Sequence, residues 1–272
     1  MSNPPEGLAR LTELVAAISP RVIACSGGID SMLLATLAHR REPGATTVAH
    51  AISPAVPREA TSRVRAWAQR EGWQLELVRS GEFDSEEYLS NPVNRCYYCK
   101  IRLYDSLDHI AAALGGGATL MSGANTDDLG EYRPGLIAAR EYAVRHPYIE
   151  ADIDKAAIRA IARHLSLPFA ALPASPCLAS RLYTGTRVTA ERLRAVEECE
   201  ATIRRDTGIE VLRCRIREDQ MYIEVGDSDR EKITSALLET VAGVVAHCGL
   251  ELSGIRLDPK PYHPGRAFVA VQ

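Results

Sequence analysis

The stretch Val22-Ile23-Ala24-Cys25-Ser26-Gly27-Gly28-Ile29-Asp30-Ser31 decides how the first part of the chain folds. Four apolar residues, two glycines and the start of a helical pattern predict a buried strand, a tight loop and a helix. Glycine lets the backbone approach a ligand closely. The unpaired amides and the dipole of a helix start favour negative charge. The stretch therefore predicts an anion site.

Side chains in the same stretch refine this prediction. Ser26 and Ser31 can donate hydroxyl hydrogen bonds, and Asp30 can hold the Mg²⁺ that accompanies the phosphates of ATP. A glycine pair alone is more typical of a simple tight turn, but the complete string between a strand and a helix favours a phosphate loop. It lacks the lysine of a Walker A loop, which disfavours transfer of the terminal phosphate.

Strand and helix patterns alternate around this loop, which predicts an α/β fold with a parallel sheet covered by helices on both faces. The predicted strands span 21–25, 46–53, 74–78 and 118–122, and the predicted helices span 8–18, 31–41, 58–71, 96–114 and 153–165. A proline-rich passage over 165–176 then leads to a small α+β pattern, with helices over 190–205 and 229–247 and strands over 211–217, 221–225 and 254–257. We therefore predict a nucleotide-binding domain over 1–172 and a smaller domain over 173–272.

Composition narrows the class of protein. The chain has 272 residues, 46% of them hydrophobic and 25% charged, with a net charge of −3. This balance is ordinary for a globular protein and gives no reason to expect nucleic-acid or membrane partners. The first residues do not read as a secretory signal, and no apolar run approaches a membrane span, so we expect a cytoplasmic protein.

Seven cysteines suggest reduced thiols, some of them with a role in chemistry or metal binding. Cys96 and Cys99 form a C-x-x-C pair at a predicted helix start, and Cys177 lies in a loop between prolines and Arg181. The pattern predicts buried structural roles for the other four, which are Cys25, Cys199, Cys214 and Cys248.

Cys96, Cys99 and Cys177 leave several ligands open. Three cysteines can hold a 4Fe-4S cluster while one iron takes a non-protein ligand. Zinc is an alternative, although a structural zinc site normally needs a fourth protein ligand. A redox C-x-x-C pair is another, although nothing else in the chain is typical of a thioredoxin.

Arginines alternate with apolar residues in the predicted strand over 211–217. Arg213, Arg215 and Arg217 should share one face of that strand. A solvated charged face is the ordinary explanation. Three arginines without interleaved acids also suit a phosphate or carboxylate, which guanidinium groups bind in a bidentate fork. Arg181 is a further candidate for such an anion.

The Ser26–Ser31 string resembles the PP-loop of ATP pyrophosphatases. The resemblance implies cleavage of ATP to AMP and pyrophosphate through an adenylated intermediate. It further implies that the adenine lies along 50–54 and that Gly123 and Asp128, after a later strand, border the nucleotide.

Nearly the whole chain is similar to the LarE branch of PP-loop sulfur transferases. The matching segments are 26–31, 96–104, 132–135, 175–181 and 213–215. The resemblance implies conversion of the carboxylates of pyridinium-3,5-biscarboxylic acid mononucleotide to thiocarboxylates, for the nickel-pincer nucleotide.

The LarE resemblance also implies site residues. In some members of the family, the cysteine that matches Cys177 gives up its own sulfur. Members with three matching cysteines bind a 4Fe-4S cluster and can turn over, and in this chain Cys96, Cys99 and Cys177 would hold that cluster. Arg213 and Arg215 match phosphate-binding positions, and Glu200 matches a metal-binding carboxylate. The family includes hexamers, so we expect a homo-oligomer.

Three other functions fit parts of the sequence. An ammonia-using amide ligase would share the adenylation step but need no cysteines. A thiolating enzyme for transfer RNA is disfavoured by the net acidity and by the lack of a lysine-rich extension. A non-catalytic nucleotide- or metal-binding module would use the same loop to hold ATP without cleaving it.

Overall fold

The computed structural model describes residues 4–115, 117–130 and 132–268. The strands are β1 (Arg21–Ala24), β2 (Thr46–Ala51), β3 (Gln74–Val78), β4 (Thr119–Ser122), β5 (Leu212–Arg217), β6 (Gln220–Val225) and β7 (Gly254–Leu257). The helices are α1 (Leu8–Ala17), α2 (Ile29–Arg41), α3 (Arg58–Glu71), α4 (Glu86–Leu89), α5 (Arg95–Ala113), α6 (Pro134–Glu141), α7 (Pro147–Glu150), α8 (Lys155–His164), α9 (Ala190–Thr207) and α10 (Ser235–His247).

The chain divides into two compact units. The first contains Met1–Glu82 and Cys96–Ser175, and the second contains Phe83–Arg95 and Pro176–Gln272. The predicted division at 172/173 thus lies three residues before the later of these boundaries. The segment Phe83–Arg95 differs from the prediction, which assigned it to the first domain.

Hydrogen bonds explain why Phe83–Arg95 belongs to the second unit. The buried Asn91 side chain donates to the carbonyls of Tyr183 and Thr186, each at 2.8 Å. Backbone bonds also run from Gly185 N to Asn91 O and from Val188 N to Leu89 O. Sequence patterns do not reveal such contacts, because the bonded residues are more than 90 positions apart.

The first unit is built on a parallel sheet with the strand order β3-β2-β1-β4. Successive side chains of a strand point to opposite faces, and each face carries its own core. Ile23, Val48 and Met121 pack with α1, α2, α3 and α8, whereas Val22 and Leu120 pack with α5 and α6. The predicted α/β fold, with helices on both faces of a parallel sheet, is confirmed.

The second unit is a small mixed α+β unit. Strands β5 and β6 pair antiparallel, and β6 pairs parallel with β7. Helix α9 packs against β5 and α10. The side chain of Thr189 accepts a hydrogen bond from Arg192 N and so caps the start of α9. Helix α9 therefore begins at residue 190, as predicted.

Two helices begin later than predicted because a polar residue caps each of them. Asp154 accepts from Ala157 N, so α8 begins at Lys155. Thr234 accepts from Leu237 N, so α10 begins at Ser235 after a 3₁₀ turn over Asp227–Lys232. In the part of the chain that the structure describes, no helix combines the length and the apolar character needed to cross a bilayer.

Candidate functional site

The predicted phosphate loop lies at the carboxyl end of β1. In the order β3-β2-β1-β4, the connections run to opposite sides of β1, so the sheet has its switch point between β1 and β4. Ligands of open α/β sheets bind in the crevice beyond the strand ends at such a point. The residues that follow β1 and β4 are therefore the ones that the topology places at a binding crevice.

Hydroxyl groups organise the loop through hydrogen bonds. Ser26 N donates to Ser31 Oγ at 3.1 Å, and the two hydroxyl oxygens lie 3.2 Å apart. Ser31 Oγ also donates to Gly28 O at 3.1 Å. Gly28 is the N-cap of α2 and supplies no side chain to cap the first amides, which leaves the start of the helix suited to an anion.

At two positions around this loop, a side chain larger than that of glycine would collide with neighbouring backbone atoms. Gly27 has φ +80°, and a Cβ there would lie 2.9 Å from Ala60 O. A Cβ on Gly123, just after β4, would lie 2.9 Å from Ser31 N. Gly123, which the resemblance places beside the nucleotide, thus packs directly against the start of α2.

Asp30 forms an ion pair that the sequence analysis missed. Lys155 Nζ, on the first residue of α8, lies 2.5 Å from both carboxylate oxygens of Asp30. Burial raises the pKa of Asp30, and Lys155 counteracts this by hydrogen bonding and charge. A signal was present in the sequence, because a lysine in the first turn of a helix opposes the helix dipole.

Asp128 is half-buried in the 3₁₀ turn Thr126–Gly130. Its Oδ2 accepts from Asn125 N at 3.0 Å, and its Oδ1 lies 3.1 Å from Arg133. The charge of Asp128 contributes to the raised pKa of Asp30, so the two carboxylates influence each other. Oxygen ligands of this kind are the ones that Mg²⁺ prefers.

Cys96 and Cys99 are half-buried in the first turns of α5. Residues three apart on a helix share a face, so both thiols can reach one ligand. Gly135 at the start of α6 lies against this part of α5, since a Cβ there would be 3.1 Å from Lys100 Cγ and 3.8 Å from Cys96 O. Two segments that carry the LarE resemblance therefore pack together.

All seven cysteines are described, and Cys177 alone is exposed. Cys25, Cys199, Cys214 and Cys248 are buried, as the sequence predicts. Burial raises the pKa of Cys25 to about 11 and that of Cys199 to about 12, and it also raises the pKa of Cys214. These thiols are protonated at neutral pH.

The three cysteines of interest are divided between the units, with Cys96 and Cys99 in the first and Cys177 in the second. Among residues 4–115, 117–130 and 132–268, no group of three His, Cys, Asp or Glu side chains is arranged to hold a metal ion. By their chemistry, three accessible thiols suit the irons of a 4Fe-4S cluster.

Arg181 and Glu200 are each other's main partners. Arg181 Nε and Nη2 donate to the two carboxylate oxygens of Glu200 at 3.1 and 3.2 Å. The two side chains are 4% and 2% exposed. Burial favours the neutral acid, but Arg181, Arg213 and Arg204 outweigh it and lower the pKa of Glu200. A substrate anion that binds Arg181, as predicted, would have to break this buried ion pair. A metal ion that binds Glu200, as predicted, would have to break it as well.

The three arginines of β5 have different surroundings. Arg215 is buried and donates to Glu224 at 2.8 Å, whereas Arg217 is exposed. Arg213 is half-buried over the ring of Tyr262, and burial and the charge of Arg181 lower its pKa. Arg213 is therefore the β5 arginine that is partly accessible and also close to other positive charge.

Comparison with known proteins identifies relatives over most of the chain. No family model matches. An uncharacterised protein of Synechocystis is 38% identical over 218 residues, which is 80% of this chain and 81% of that protein. An uncharacterised protein of Methanocaldococcus jannaschii is 28% identical over 183 residues, or 67% of this chain and 69% of that one.

A third relative has a named activity. It is the pyridinium-3,5-bisthiocarboxylic acid mononucleotide synthase of Lactiplantibacillus plantarum, 31% identical over 221 residues, with 79% of each chain covered. The chain belongs to the LarE family. Fewer residues lie outside this match than either structural unit contains, so the LarE similarity extends into both units.

Proposed function

We propose that this LarE-family chain is an ATP-dependent sulfur transferase that adenylates a carboxylate and replaces one of its oxygens with sulfur. The proposed substrate is pyridinium-3,5-biscarboxylic acid mononucleotide. The product name of the Lactiplantibacillus relative supports this choice, since a bisthiocarboxylic acid is the expected result of that reaction.

The first unit would perform the adenylation. The amides at the start of α2 and the hydroxyls of Ser26 and Ser31 bind the phosphates, with Gly27, Gly28 and Gly123 allowing close approach. Asp30 and Asp128 supply oxygen ligands for Mg²⁺. A substrate carboxylate oxygen then attacks the α-phosphorus, and pyrophosphate leaves.

The second unit would bind the substrate and supply the sulfur-bearing residue. Arg213 is proposed to bind the phosphate or carboxylate groups of the substrate. Arg215, the second position that the resemblance matches, is buried and donates to Glu224, Ser180 O and His263 O. In the sacrificial route, Cys177 Sγ attacks the acyl carbon and AMP leaves. Loss of the Cys177 Cα proton and cleavage of its Cβ–Sγ bond then release the thiocarboxylate and leave dehydroalanine.

A 4Fe-4S cluster offers the second route. Cys96, Cys99 and Cys177 are the proposed ligands, and a bound cluster would supply a renewable sulfide in place of the cysteine sulfur. The chain's own part in this route is to provide the three thiolates and to bind the acyl-adenylate.

The exposure of Cys177 is the observation that best supports the proposed function. Four other cysteines are buried, and three of them have a raised pKa, yet Cys177 lies exposed in an irregular loop of a chain that also has a phosphate loop. An ammonia-using ligase or a nucleotide-binding module has no need of such a thiol.

The test follows pyrophosphate and thiocarboxylate separately. We expect the anaerobically purified protein to release pyrophosphate only when ATP, Mg²⁺ and the pyridinium substrate are all present. Cys177→Ser should still release pyrophosphate and form no thiocarboxylate. Steady formation of ADP, or full product formation by Cys177→Ser, would contradict the proposal.

Iron and acid-labile sulfide content distinguish the two sulfur sources. We expect cluster iron in the wild-type protein and its loss in the Cys96→Ala, Cys99→Ala double variant. If wild-type protein holds no cluster after anaerobic reconstitution, the sulfur source is Cys177 itself, and mass spectrometry should then detect dehydroalanine at this position after one turnover.

A further inference from the structure

Buried arginines hold the backbone of the turn that carries Cys177. Arg181 Nη1 donates to Pro176 O at 2.7 Å and to Cys177 O at 3.1 Å. Arg95 donates to Ala179 O and Arg215 to Ser180 O, both at 3.0 Å. We call Arg95, Arg181 and Arg215 the arginine cradle. It binds four carbonyls within five consecutive residues.

Each arginine of the cradle also donates to a side chain. Glu200 accepts from two nitrogens of Arg181, Glu224 accepts from Arg215 Nε, and Asn91 Oδ1 accepts from Arg95. The two acidic groups are 2% and 0% exposed. The Arg181–Glu200 pair is bidentate, whereas Arg215 makes one bond to Glu224. Buried charge-assisted pairs have a defined geometry, so the cradle is a rigid element.

Glu200 is fully occupied in this arrangement. Its Oε1 accepts from Arg181 Nε and from Cys214 N at 3.2 Å, and its Oε2 accepts from Arg181 Nη2 and from Arg204 at 3.0 Å. A carboxylate with four donors at 2% exposure binds a metal only by losing several of them. Its contacts instead make it the anchor of Arg181.

The backbone of the Cys177 turn is hydrogen-bonded, whereas Cys177 is exposed to solvent. Ser180 N donates to Cys177 O, and Leu182 N donates to Ala179 O, so the cradle acts on a turn that is already hydrogen-bonded. Cys177 is nevertheless exposed, while Leu178 and Ala179 are buried. The backbone of the turn is fixed by hydrogen bonds, and the residue that carries the thiol is exposed.

We infer that Glu200 is a positioning residue, which acts through Arg181 to fix the backbone of Cys177 for sulfur transfer. The catalytic part of this inference rests on the proposed function, whereas the structural part does not. Arg181 then acts on the Cys177 turn and not on the substrate.

Hydrogen–deuterium exchange of the peptide spanning 177–182 tests the structural part. In wild-type protein, the amides of Ser180 and Leu182 should be protected relative to those of the exposed residues Ala174 and Ser175. Glu200→Gln and Arg181→Lys should increase their exchange rate at least 10-fold. Arg204→Gln is the matched control, because Arg204 also contacts Glu200 but not the turn, and it should leave the exchange unchanged.

Single-turnover kinetics test the catalytic part. In Glu200→Gln, pyrophosphate release should stay within 2-fold of wild type while thiocarboxylate formation falls at least 10-fold. Equal losses in both steps, or wild-type exchange in both variants, would overturn the inference. If neither variant folds, unprotected amides at 180 and 182 in wild-type protein would overturn it.

The two readouts separate this inference from the proposed function. Absence of pyrophosphate in the wild-type reaction would refute the proposed function, and the exchange experiment would still decide the role of Glu200.

Discussion

At the scale of single residues, the ion pair between Asp30 and Lys155 changes how the phosphate loop is understood. The sequence predicts Asp30 as a ligand of Mg²⁺, but the structure places Lys155 Nζ against both of its oxygens. If Asp30 binds Mg²⁺ as proposed, the metal ion would displace this ammonium group, which would then be available to the phosphates of ATP. Lys155 and Mg²⁺ would therefore alternate at one carboxylate.

Removing Lys155 should have a pH-dependent effect. Lys155 lowers the pKa of Asp30, which burial raises, so Lys155→Met should raise this pKa further. Asp30 is protonated below its pKa, and the variant should therefore lose Mg²⁺-dependent ATP binding at a higher pH than wild type as the pH falls. Calorimetry between about pH 4, the ordinary pKa of an aspartate, and about pH 8 measures this.

The matched variant Lys155→Arg keeps the positive charge and should behave like wild type in the same titration. At neutral pH, Lys155→Met should bind ATP about 10-fold more weakly, which corresponds to the loss of one hydrogen bond to a charged group. Tighter binding by Lys155→Met at all pH values would show that Lys155 only competes with the metal.

Thiol chemistry offers a second test at this scale. Reaction with iodoacetamide at pH 8 should modify Cys177 first, because only Cys177 is exposed and only thiolates react rapidly. Cys25 and Cys199 should remain unmodified, since they are buried and their pKa values are about 11 and 12. Peptide mass spectrometry over time measures the order, and early modification of Cys199 would contradict it.

At the scale of secondary-structure elements, local patterns carry much of the information. Helix α3 and strand β3 have the predicted bounds, because proline before the helix and a glycine after it mark both ends. Helix α6 is absent from the prediction, although Pro134 occupies its first turn, a position that proline favours. The sequence marks 132–135 only as a segment of the LarE resemblance.

The acidic partner of the β5 arginines cannot be predicted from the sequence of β5 alone. The prediction noted that no acid interleaves with its arginines. The acid comes from the neighbouring strand, since Glu224 of β6 pairs in register with Arg213 and bonds to Arg215. Register between strands depends on tertiary structure, and a single strand pattern does not contain it.

The contact between the end of β4 and the start of α2 predicts a sensitive glycine. Gly123→Ala would place a methyl group 2.9 Å from Ser31 N and 3.1 Å from Ser31 Cα, so the phosphate loop must shift. We expect ATP binding to weaken at least 10-fold and the free energy of unfolding to fall by about 1–3 kcal/mol, as for overpacked sites.

Gly44→Ala is the control for this variant, because a Cβ on Gly44 meets no atom within 4 Å. Fluorescence titration with ATP and thermal unfolding of both variants provide the measurement. Wild-type ATP affinity in Gly123→Ala would mean that the loop does not form the nucleotide site.

At the scale of the whole molecule, the second unit includes Phe83–Arg95, which lies in sequence between the two segments of the first unit. The sequence places a boundary at 172/173 because of the proline-rich passage over 165–176, and the later change of unit lies between Ser175 and Pro176. The sequence patterns do not locate Phe83–Arg95, whose assignment depends on hydrogen bonds to residues far along the chain. The expected homo-oligomer stays a prediction, which light scattering tests.

Asn91 is the residue on which this arrangement most depends. It is 1% exposed, has φ +56°, and donates to two carbonyls of the second unit. Asn91→Ala should lower the free energy of unfolding by about 2 kcal/mol or more, because two carbonyls lose their partner and alanine disfavours positive φ.

Thermal and urea unfolding of Asn91→Ala measure this loss, with half-buried Asn94→Ala as the control. Asn91→Gly separates the two causes, since glycine tolerates the backbone conformation and lacks the amide. Unchanged stability in Asn91→Ala would show that Phe83–Arg95 contributes little to the second unit.

The arginine cradle also affects the lifetime of the protein. Its hydrogen bonds to the Cys177 turn all end on main-chain oxygens or on the Ser180 hydroxyl, and none uses the sulfur. In the proposed sacrificial route, a molecule that has given up that sulfur would therefore keep the main-chain oxygens to which the cradle donates. Spent copies would then be folded but without sulfur to give, so a cell that relies on this route would consume one protein molecule for each sulfur atom transferred.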